Sequence, residues 1–325
     1  MLRLPVFTAA FAKSVDDAVE RKAASPNSAY VAGGTDLYPN MKRRQQTPEL
    51  VVDIRGIPEL GSIAVRPDGA LRIGAGVTLT RLIRHPVVRE HWPVLAQAAA
   101  TISTPLLQNM GTVGGNLLLD TRCNYYDQNF EWRKAIDFCM KKDGSICWVA
   151  PSSPRCWAVQ SSDLVPVMVA LDARVTLHGP KGSRTIPVMA LYRDDGIQYH
   201  TKDPDELLVW VEIPPLAGAR ATYQKLRRRG SFDFPALGVA AWARLKDDRT
   251  VLEARIVLGA VGSFPKVCGE AAVALRGQLM EDEVLETVAR TAGKLGKPLD
   301  NTDFTIGWRK DMVPVMVRKA LTALR

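Results

Sequence analysis

Residues 30–37 read Tyr-Val-Ala-Gly-Gly-Thr-Asp-Leu, so that a short apolar run leads directly into a glycine pair and two small polar residues. This order predicts a strand, a tight turn and a helix that runs from Asp36 toward Arg43. Because glycine has no Cβ atom, the backbone N–H groups of such a turn can approach a phosphate, and the Thr35 hydroxyl can add a donor. A plain tight turn is the alternative interpretation of this segment taken alone.

A second glycine-rich segment, Gly111–Asn116, reads Gly-Thr-Val-Gly-Gly-Asn. Thr112 and Asn116 place small polar side chains beside its glycines. Two loops of this kind in one domain can clamp the two phosphates of a dinucleotide. The fingerprint G-x-G-x-x-G is not satisfied, because Leu79 stands where the run from Gly74 would need its third glycine. A fold other than the Rossmann fold would therefore hold the dinucleotide.

The five cysteines are distributed unevenly, since four lie within residues 123–156 and Cys268 stands apart. None of the four is separated from another by only two to four residues, which is the spacing that zinc sites usually contain. A [4Fe-4S] cluster needs only four thiolates at tetrahedral corners, and a looping segment can supply them. Seven aromatic residues between positions 125 and 157 can shield such a cluster from water. The spacing alone leaves a cluster, a zinc ion and unligated thiols as open interpretations of Cys123, Cys139, Cys147 and Cys156.

The composition is that of a folded protein of two or three domains, with 325 residues, 46% of them hydrophobic, and a formal net charge of +9. No apolar stretch is long enough for a membrane span, and no export signal is evident, so a cytoplasmic location is expected. The basic clusters are short and carry no nucleic-acid-binding motif, so solvated surfaces or a docking face for an acidic protein explain the charge better than nucleic acid does. No histidine pair or nucleophile motif is present, and the chemistry is therefore expected to belong to cofactors, with no catalytic residue in this chain.

Apolar periodicity and capping residues predict the remaining elements. Ser14-x-x-Asp17 opens a helix near Val15–Ala24, and Pro86–Ile102 reads as one helix. The double proline Pro214-Pro215 predicts a domain boundary. Further strands are predicted at Leu50–Ile54, Leu71–Ile73, Arg174–His178, Leu207–Ile213, Thr222–Arg227, Leu237–Leu245 and Val251–Val261, and further helices at Asp163–Leu171, Asp282–Leu295 and Met312–Leu324.

The two glycine loops resemble the FAD-binding loops of the flavoprotein (medium) subunits of molybdenum hydroxylases, the family that includes xanthine dehydrogenase and carbon monoxide dehydrogenase. Ser162-Asp163-Leu164-Val165-Pro166 followed by Leu171-Asp172-Ala173 resembles a further run of that family. Glu212-Ile213-Pro214 and Lys225, followed by Asp233-Phe234, match later landmarks. The order of these segments is similar over nearly the whole chain.

The resemblance implies an α+β fold with a two-lobed FAD-binding domain at residues 1–216 and a C-terminal α+β domain at 217–325. The lobes would cover about residues 1–57 and 58–216. Most members of the family pass almost directly from the second glycine loop to the Ser-Asp-Leu run, whereas this chain carries a cysteine-rich insertion at about 119–160. That insertion resembles the β subunit of 4-hydroxybenzoyl-CoA reductase, where it holds a [4Fe-4S] cluster.

The resemblance also implies roles for individual residues. The two loops would hold the FAD pyrophosphate and ribityl region, Ile102 would lie near the flavin or adenine, and Asp163 would bind a polar group of FAD. The four clustered cysteines would ligate the cluster, and Cys268 falls outside the motif. The implied FAD-binding residues are Ala32, Gly33, Gly34, Thr35, Asp36, Leu37, Ile102, Gly111, Thr112, Val113, Gly114, Gly115, Asn116, Asp163, Leu208 and Lys225.

An electron-transfer subunit follows from this resemblance. Its expected partners are a large molybdenum-cofactor subunit and a small [2Fe-2S] subunit, as a dimer of heterotrimers, with reduced ferredoxin as the electron donor. The overall reaction would be reductive dehydroxylation of 4-hydroxybenzoyl-CoA at molybdenum. Two alternatives remain: the flavin subunit of another molybdenum hydroxylase, and a zinc-stabilised assembly module.

Overall fold

The computed structural model describes residues 2–325. The strands in this part of the chain are β1 (Thr8–Phe11), β2 (Ser28–Val31), β3 (Leu50–Asp53), β4 (Ile63–Val65), β5 (Leu71–Gly74), β6 (Arg174–Gly179), β7 (Gly182–Pro187), β8 (Leu207–Ile213), β9 (Arg220–Leu226), β10 (Leu237–Leu245), β11 (Val251–Gly259) and β12 (Lys266–Val267). The helices are α1 (Val15–Ala23), α2 (Leu37–Lys42), α3 (Leu79–Arg84), α4 (Pro86–His91), α5 (Pro93–Ala100), α6 (Pro105–Gln108), α7 (Val113–Leu117), α8 (Phe130–Ala135), α9 (Leu164–Ala170), α10 (Gly269–Leu275), α11 (Asp282–Gly293) and α12 (Ile306–Thr322).

The strands form three separate sheets, and the predicted α+β fold is confirmed. The first sheet is parallel, in the order β1-β3-β2. The second is antiparallel, in the order β4-β5-β8-β6-β7. The third, β12-β11-β10-β9, is also antiparallel and carries the last three helices along one core.

Strand β8 connects the first two sheets because its two faces enter different cores. Leu207 and Val209 pack with the core beneath the first sheet. Leu208 and Val211 belong to the larger core around β5, β6 and α9. The same larger core includes Trp242 of β10, so the second and third sheets also share buried surface. The proline-rich segment near residue 214 therefore separates two parts of the chain that pack firmly together.

Two of the predicted helices differ from the structure. The predicted helix Pro86–Ile102 is broken at Trp92, which has φ −135° and ψ 54°, because the residue before a proline is driven out of the helical region and Pro93 has no N–H to donate. The last helix begins at Ile306, well before the predicted Met312, because the Thr305 side chain accepts a hydrogen bond from the backbone N–H of Trp308 and caps it. The capping prediction for α1 is confirmed, since the Ser14 side chain accepts from the N–H of Asp17.

No helix among residues 2–325 combines the length and the apolar character that a membrane span requires.

Candidate functional site

A cavity of about 510 Å³, here called the loop cavity, opens where the two glycine loops meet strand β8. Cavities of this size are typical of sites for large organic ligands. Thirteen of the sixteen residues predicted to hold FAD line it. They are Ala32, Gly33, Gly34, Thr35, Asp36, Leu37, Ile102, Gly111, Thr112, Gly114, Gly115, Asn116 and Leu208.

The first glycine loop, Ala32–Leu37, offers a row of free backbone donors to the loop cavity. Gly34 has φ +68°, in the left-handed region that favours glycine. Within residues 2–325, the five consecutive N–H groups of residues 33–37 have no acceptor in the chain. Successive free N–H groups in such a turn form a concave site for an anion. This loop is therefore suited to a diphosphate.

The second glycine loop, Gly111–Asn116, contributes space rather than backbone donors. The N–H groups of Val113 and Gly114 donate to the carbonyls of Val77 and Ala75, at 2.9 and 2.8 Å. A Cβ atom on Gly114 would lie 2.6 Å from the Cβ of Ala75, so this glycine is required by close packing. On Gly115 a Cβ atom would meet only the Thr112 hydroxyl, at 3.1 Å. Five of the six N–H groups of residues 111–116 are thus paired within the chain, and that of Thr112 is free in the described residues.

Asn116 directs one end of its amide toward the protein and leaves the other for the loop cavity. Its Oδ1 atom accepts hydrogen bonds from the Ser162 hydroxyl, at 2.6 Å, and from the N–H of Leu164, at 3.2 Å. The remaining Nδ2 group is a donor on a residue that lines the cavity.

Three of the predicted residues do not line the loop cavity. Val113 is fully buried in the larger core. Asp163 and Lys225 are paired with each other and do not line the loop cavity, and a direct contact of either side chain with FAD stays a prediction. Burial raises the pKa of Asp163 and lowers the pKa of Lys225, and the charge of each partner opposes the shift of the other.

Arg122 lies between the first glycine loop and the cysteine-rich insertion, although the sequence analysis did not single it out. Its guanidinium forms an ion pair with Asp36, and its Nη1 atom lies 3.1 Å from Oδ1 of Asp127. The ring of Phe234 stacks on it, with the guanidinium carbon 4.4 Å from the ring centroid. Burial lowers the pKa of Arg122, but the neighbouring carboxylates outweigh burial and hold that pKa above its usual value. Its buried Nε atom has no hydrogen-bond partner in the described residues, and Arg122 is among the residues that line the loop cavity.

Aromatic side chains from distant segments complete the loop cavity. Phe232 and Phe234 lie in the connection between β9 and β10, and Tyr199 lies ahead of β8. Aromatic faces suit the stacking of a planar ring system. In the sequence Phe234 is only a landmark of the resemblance, because no local pattern relates it to loops so far away in the chain.

The four clustered cysteines meet at a second, smaller cavity of about 10 Å³, here called the cysteine cavity. Cys123, Cys139, Cys147 and Cys156 all line it, all are buried, and none forms a disulfide. Among residues 2–325, no group of three or more His, Cys, Asp or Glu side chains is placed to hold a metal ion. This finding does not distinguish a zinc ion from an iron–sulfur cluster at the four cysteines. Cys268 is buried in the core of the third sheet and helices, away from this cavity.

Only some of the aromatic residues in this insertion shield the cysteine cavity. Tyr125, Tyr126 and Trp148 line it. Phe130 and Phe138 instead pack on each other, with ring centroids 5.7 Å apart. The remaining members of the predicted shield also lie elsewhere: Trp132 is 39% exposed and Trp157 stacks on Arg155.

The insertion is anchored to the first lobe by a buried arginine. Arg133 of α8 is fully buried and donates from Nη2 to the backbone carbonyls of Arg43 and Arg44, at 3.1 and 3.4 Å. Gln45 donates to the carbonyl of Tyr126 at 2.5 Å. These contacts hold the cysteine cavity beside the end of α2 and thus beside the loop cavity.

Comparison with known proteins gives matches over nearly the whole chain. Residues 5–216 match the family described as "FAD binding domain in molybdopterin dehydrogenase", and residues 221–324 match "CO dehydrogenase flavoprotein C-terminal domain". The aldehyde oxidoreductase FAD-binding subunit PaoB of Escherichia coli is 35% identical over 249 residues, which cover 74% of this chain and 76% of that protein. The carbon monoxide dehydrogenase medium chain of Hydrogenophaga pseudoflava is 28% identical over 295 residues, covering 90% of this chain and 88% of that one.

A solved structure of a Cu,Mo-CO dehydrogenase has the same fold. It superposes with a TM-score of 0.82 at 24% identity and covers 99% of this chain and 98% of that one.

Proposed function

Since this chain belongs to the family of FAD-binding subunits of molybdopterin dehydrogenases, we propose that it passes electrons between an FAD in the loop cavity and a [4Fe-4S] cluster in the cysteine cavity. As a member of that family it is the flavin subunit of a molybdenum hydroxylase, an oxidoreductase. The proposal of a cluster rests on one observation. Four buried thiols, none of them in a disulfide, line one cavity beside the flavin site.

The residues around the loop cavity fit FAD in charge and shape. The five free N–H groups of residues 33–37 would donate to the pyrophosphate. Phe232, Phe234 and Tyr199 would offer faces to the planar rings, and Asn116 and Arg122 would add donors. FAD supplies two-electron chemistry and can release its electrons singly. The chain itself binds and orients the cofactor and keeps water away from it.

The residues around the cysteine cavity fit an iron–sulfur cluster in donor number and donor type. Four thiols match the four corners of one [4Fe-4S] cluster, and the rings of Tyr126 and Trp148 line the same cavity. The space between the thiols is only about 10 Å³, so the side chains would have to spread to admit four irons. Burial raises the pKa of the Cys123 thiol to about 12 and that of Cys156 to about 11, so ligation must also displace their protons.

The similarities favour a hydroxylase of the xanthine or carbon monoxide dehydrogenase kind over 4-hydroxybenzoyl-CoA reductase. PaoB is named for aldehyde oxidation and the Hydrogenophaga chain for carbon monoxide oxidation. The second candidate, reduction of 4-hydroxybenzoyl-CoA, is favoured by one feature, the convergence of the four cysteines of the insertion.

In either case we propose a large molybdenum subunit and a small [2Fe-2S] subunit as partners. With the second candidate, reduced ferredoxin would deliver electrons through the cluster, and the net charge of +9 would favour its docking.

The test is a flavin, iron and acid-labile sulfide analysis of the purified protein, with the partner subunits that accompany it. We expect one FAD, four irons and four sulfides from this chain.

Gly115→Val should remove FAD and keep the iron, because its side chain would enter the loop cavity and not the cysteine cavity. Full flavin occupancy in Gly115→Val would contradict the FAD assignment. Zinc in place of iron would contradict the cluster. Turnover of aldehydes and of 4-hydroxybenzoyl-CoA by the whole complex separates the two candidate reactions.

A further inference from the structure

The wall between the loop cavity and the cysteine cavity contains a buried ion pair. Asp120 lines the loop cavity, whereas Lys141 lines the cysteine cavity. Their side chains are only 7% and 6% exposed, and Nζ of Lys141 lies 2.9 Å from Oδ1 of Asp120. The negatively charged residue of this pair therefore lines the loop cavity, and the positively charged residue lines the cysteine cavity.

Every donor of the Lys141 ammonium has an acceptor. Besides the contact with Asp120, the Nζ atom donates to the Thr121 hydroxyl at 2.7 Å and to the carbonyl of Gly196 at 2.6 Å. An ammonium carries three donors, so the group is satisfied as a cation. The ammonium is accordingly held by acceptors on two segments of the chain, residues 120–121 and Gly196.

Two tyrosine rings lie close to the ammonium of Lys141. The Nζ atom of Lys141 lies 4.7 Å from the ring centroid of Tyr126 and 5.0 Å from that of Tyr199. Ring faces at these distances attract a cation. Tyr126 also donates its hydroxyl to Oδ2 of Asp120 at 2.9 Å. Tyr126 lines the cysteine cavity and Tyr199 the loop cavity, so the network extends from one cavity to the other.

We propose that Lys141 and Asp120 are electrostatic positioning residues for electron transfer, which raise the reduction potential of the centre in the cysteine cavity and lower that of the flavin. This inference rests on the proposed function. A cluster gains one negative charge when it accepts one electron, and a fixed positive charge beside it stabilises the reduced form. A fixed carboxylate beside the flavin opposes the gain of electrons there. Charges in a buried wall act strongly because little water screens them.

The test is a redox titration of the purified complex with dithionite and ferricyanide, in which the cluster is followed by electron paramagnetic resonance and the flavin by visible absorbance. Lys141→Gln should shift the reduction potential of the cluster to more negative values and should change the reduction potential of the flavin less. Asp120→Asn should shift the flavin potential to more positive values. Lys142→Gln is the matched control, because Lys142 is adjacent in sequence but 34% exposed and lies 3.5 Å from Asp143.

The double variant Asp120→Asn/Lys141→Gln is included because a single substitution leaves one buried charge without its partner and can destabilise the fold. The double variant leaves neither charge of the pair. In this protein the difference obtained by subtracting the flavin potential from the cluster potential should become more negative than in wild type. Unchanged potentials in a variant that retains its iron and FAD would overturn this inference and leave the proposed function intact. A wild-type complex with no iron beyond that of the small [2Fe-2S] subunit would overturn both.

Discussion

The Nζ atom of Lys225 lies 2.9 Å from Oδ2 of Asp163, and both side chains are almost completely buried, at 3% and 4% exposure. Lys225 belongs to β9 in the third sheet, and Asp163 immediately precedes α9. The same ammonium donates to the carbonyl of Thr101 at 2.9 Å, one residue before Ile102 of the loop cavity. Tyr223 donates its hydroxyl to the other oxygen of Asp163 at 2.7 Å. This network fastens the C-terminal part of the chain to a segment that forms the flavin site.

Replacement of Lys225 by methionine should lower the free energy of unfolding by about 3–5 kcal/mol, because it leaves the Asp163 carboxylate buried without its cation. Denaturant unfolding monitored by tryptophan fluorescence measures this loss. The double variant Asp163→Asn/Lys225→Met should recover part of it. If Lys225→Met were no less stable than a variant at the exposed hairpin residue Lys246, the pair would have no net structural role.

Replacement of Gly33 by alanine should weaken FAD binding at least tenfold and also lower the melting temperature. The new Cβ atom would lie 1.7 Å from the backbone carbonyl oxygen of Met110, so the two glycine loops would have to separate. Overpacking of this kind costs about 1–3 kcal/mol, and a tenfold loss of affinity corresponds to about 1.4 kcal/mol. Flavin fluorescence and thermal unfolding measure the two effects.

Gly269→Ala is the control for that experiment. No atom lies within 4 Å of the position of its Cβ, and the residue begins helix α10, so alanine should be neutral or slightly stabilising. Equal FAD affinity in Gly33→Ala and Gly269→Ala would show that contact between the loops does not matter for the site.

Replacement of Cys139 by serine should lower the iron content by four for each copy of this chain, while the iron of the small subunit and most of the FAD remain. Cys139 lines the cysteine cavity and not the loop cavity. Iron and sulfide analysis, together with the visible spectrum, measures the loss. Artificial dyes that react directly with the flavin should still be reduced by this variant. Cys268→Ala provides the comparison, because Cys268 lies in a separate core and its loss should leave the iron content unchanged. A Cys139→Ser complex with the same iron and sulfide content as the wild-type complex would contradict the ligand assignment.

Stability should fall as the pH drops below about 6.5, in part because of His200. Burial lowers the pKa of His200 to about 3, with Lys202 contributing, and the buried Nε2 atom has no hydrogen-bond partner in the described residues. The unfolded chain therefore binds a proton at His200 that the folded chain does not, which favours unfolding between about pH 6.5 and pH 3. At pH 5 this one group should remove about 2 kcal/mol, at 1.36 kcal/mol for each pH unit.

Urea midpoints at pH 7 and pH 5 test this prediction. His200→Gln should reduce the difference between the two midpoints, whereas a substitution at His91, whose side chain is 57% exposed, should not. An identical pH dependence in His200→Gln and wild type would rule out His200 as the titrating group.

The sequence by itself determined the features that depend on local patterns. Strand β8 and strand β10 have the predicted bounds, because continuous apolar, β-branched runs favour a buried strand whatever lies beside them. The glycine pairs, with small polar residues at fixed offsets, marked the two loops. Four cysteines in one segment likewise marked a common site, since a short insertion keeps its thiols near one another in space.

Only the tertiary structure decided which residues complete those sites. Arg122 and Phe234 stack across the loop cavity, Asp120 and Lys141 meet in the wall beside it, and none of these pairs follows from a period or a motif. Asp163 and Lys225 are 62 positions apart, and the sequence placed both beside FAD. The structure pairs them beneath the cavity wall, because a buried carboxylate needs a cation and β9 brings one to the start of α9. Such pairings depend on how the sheets pack, and no local pattern contains that information.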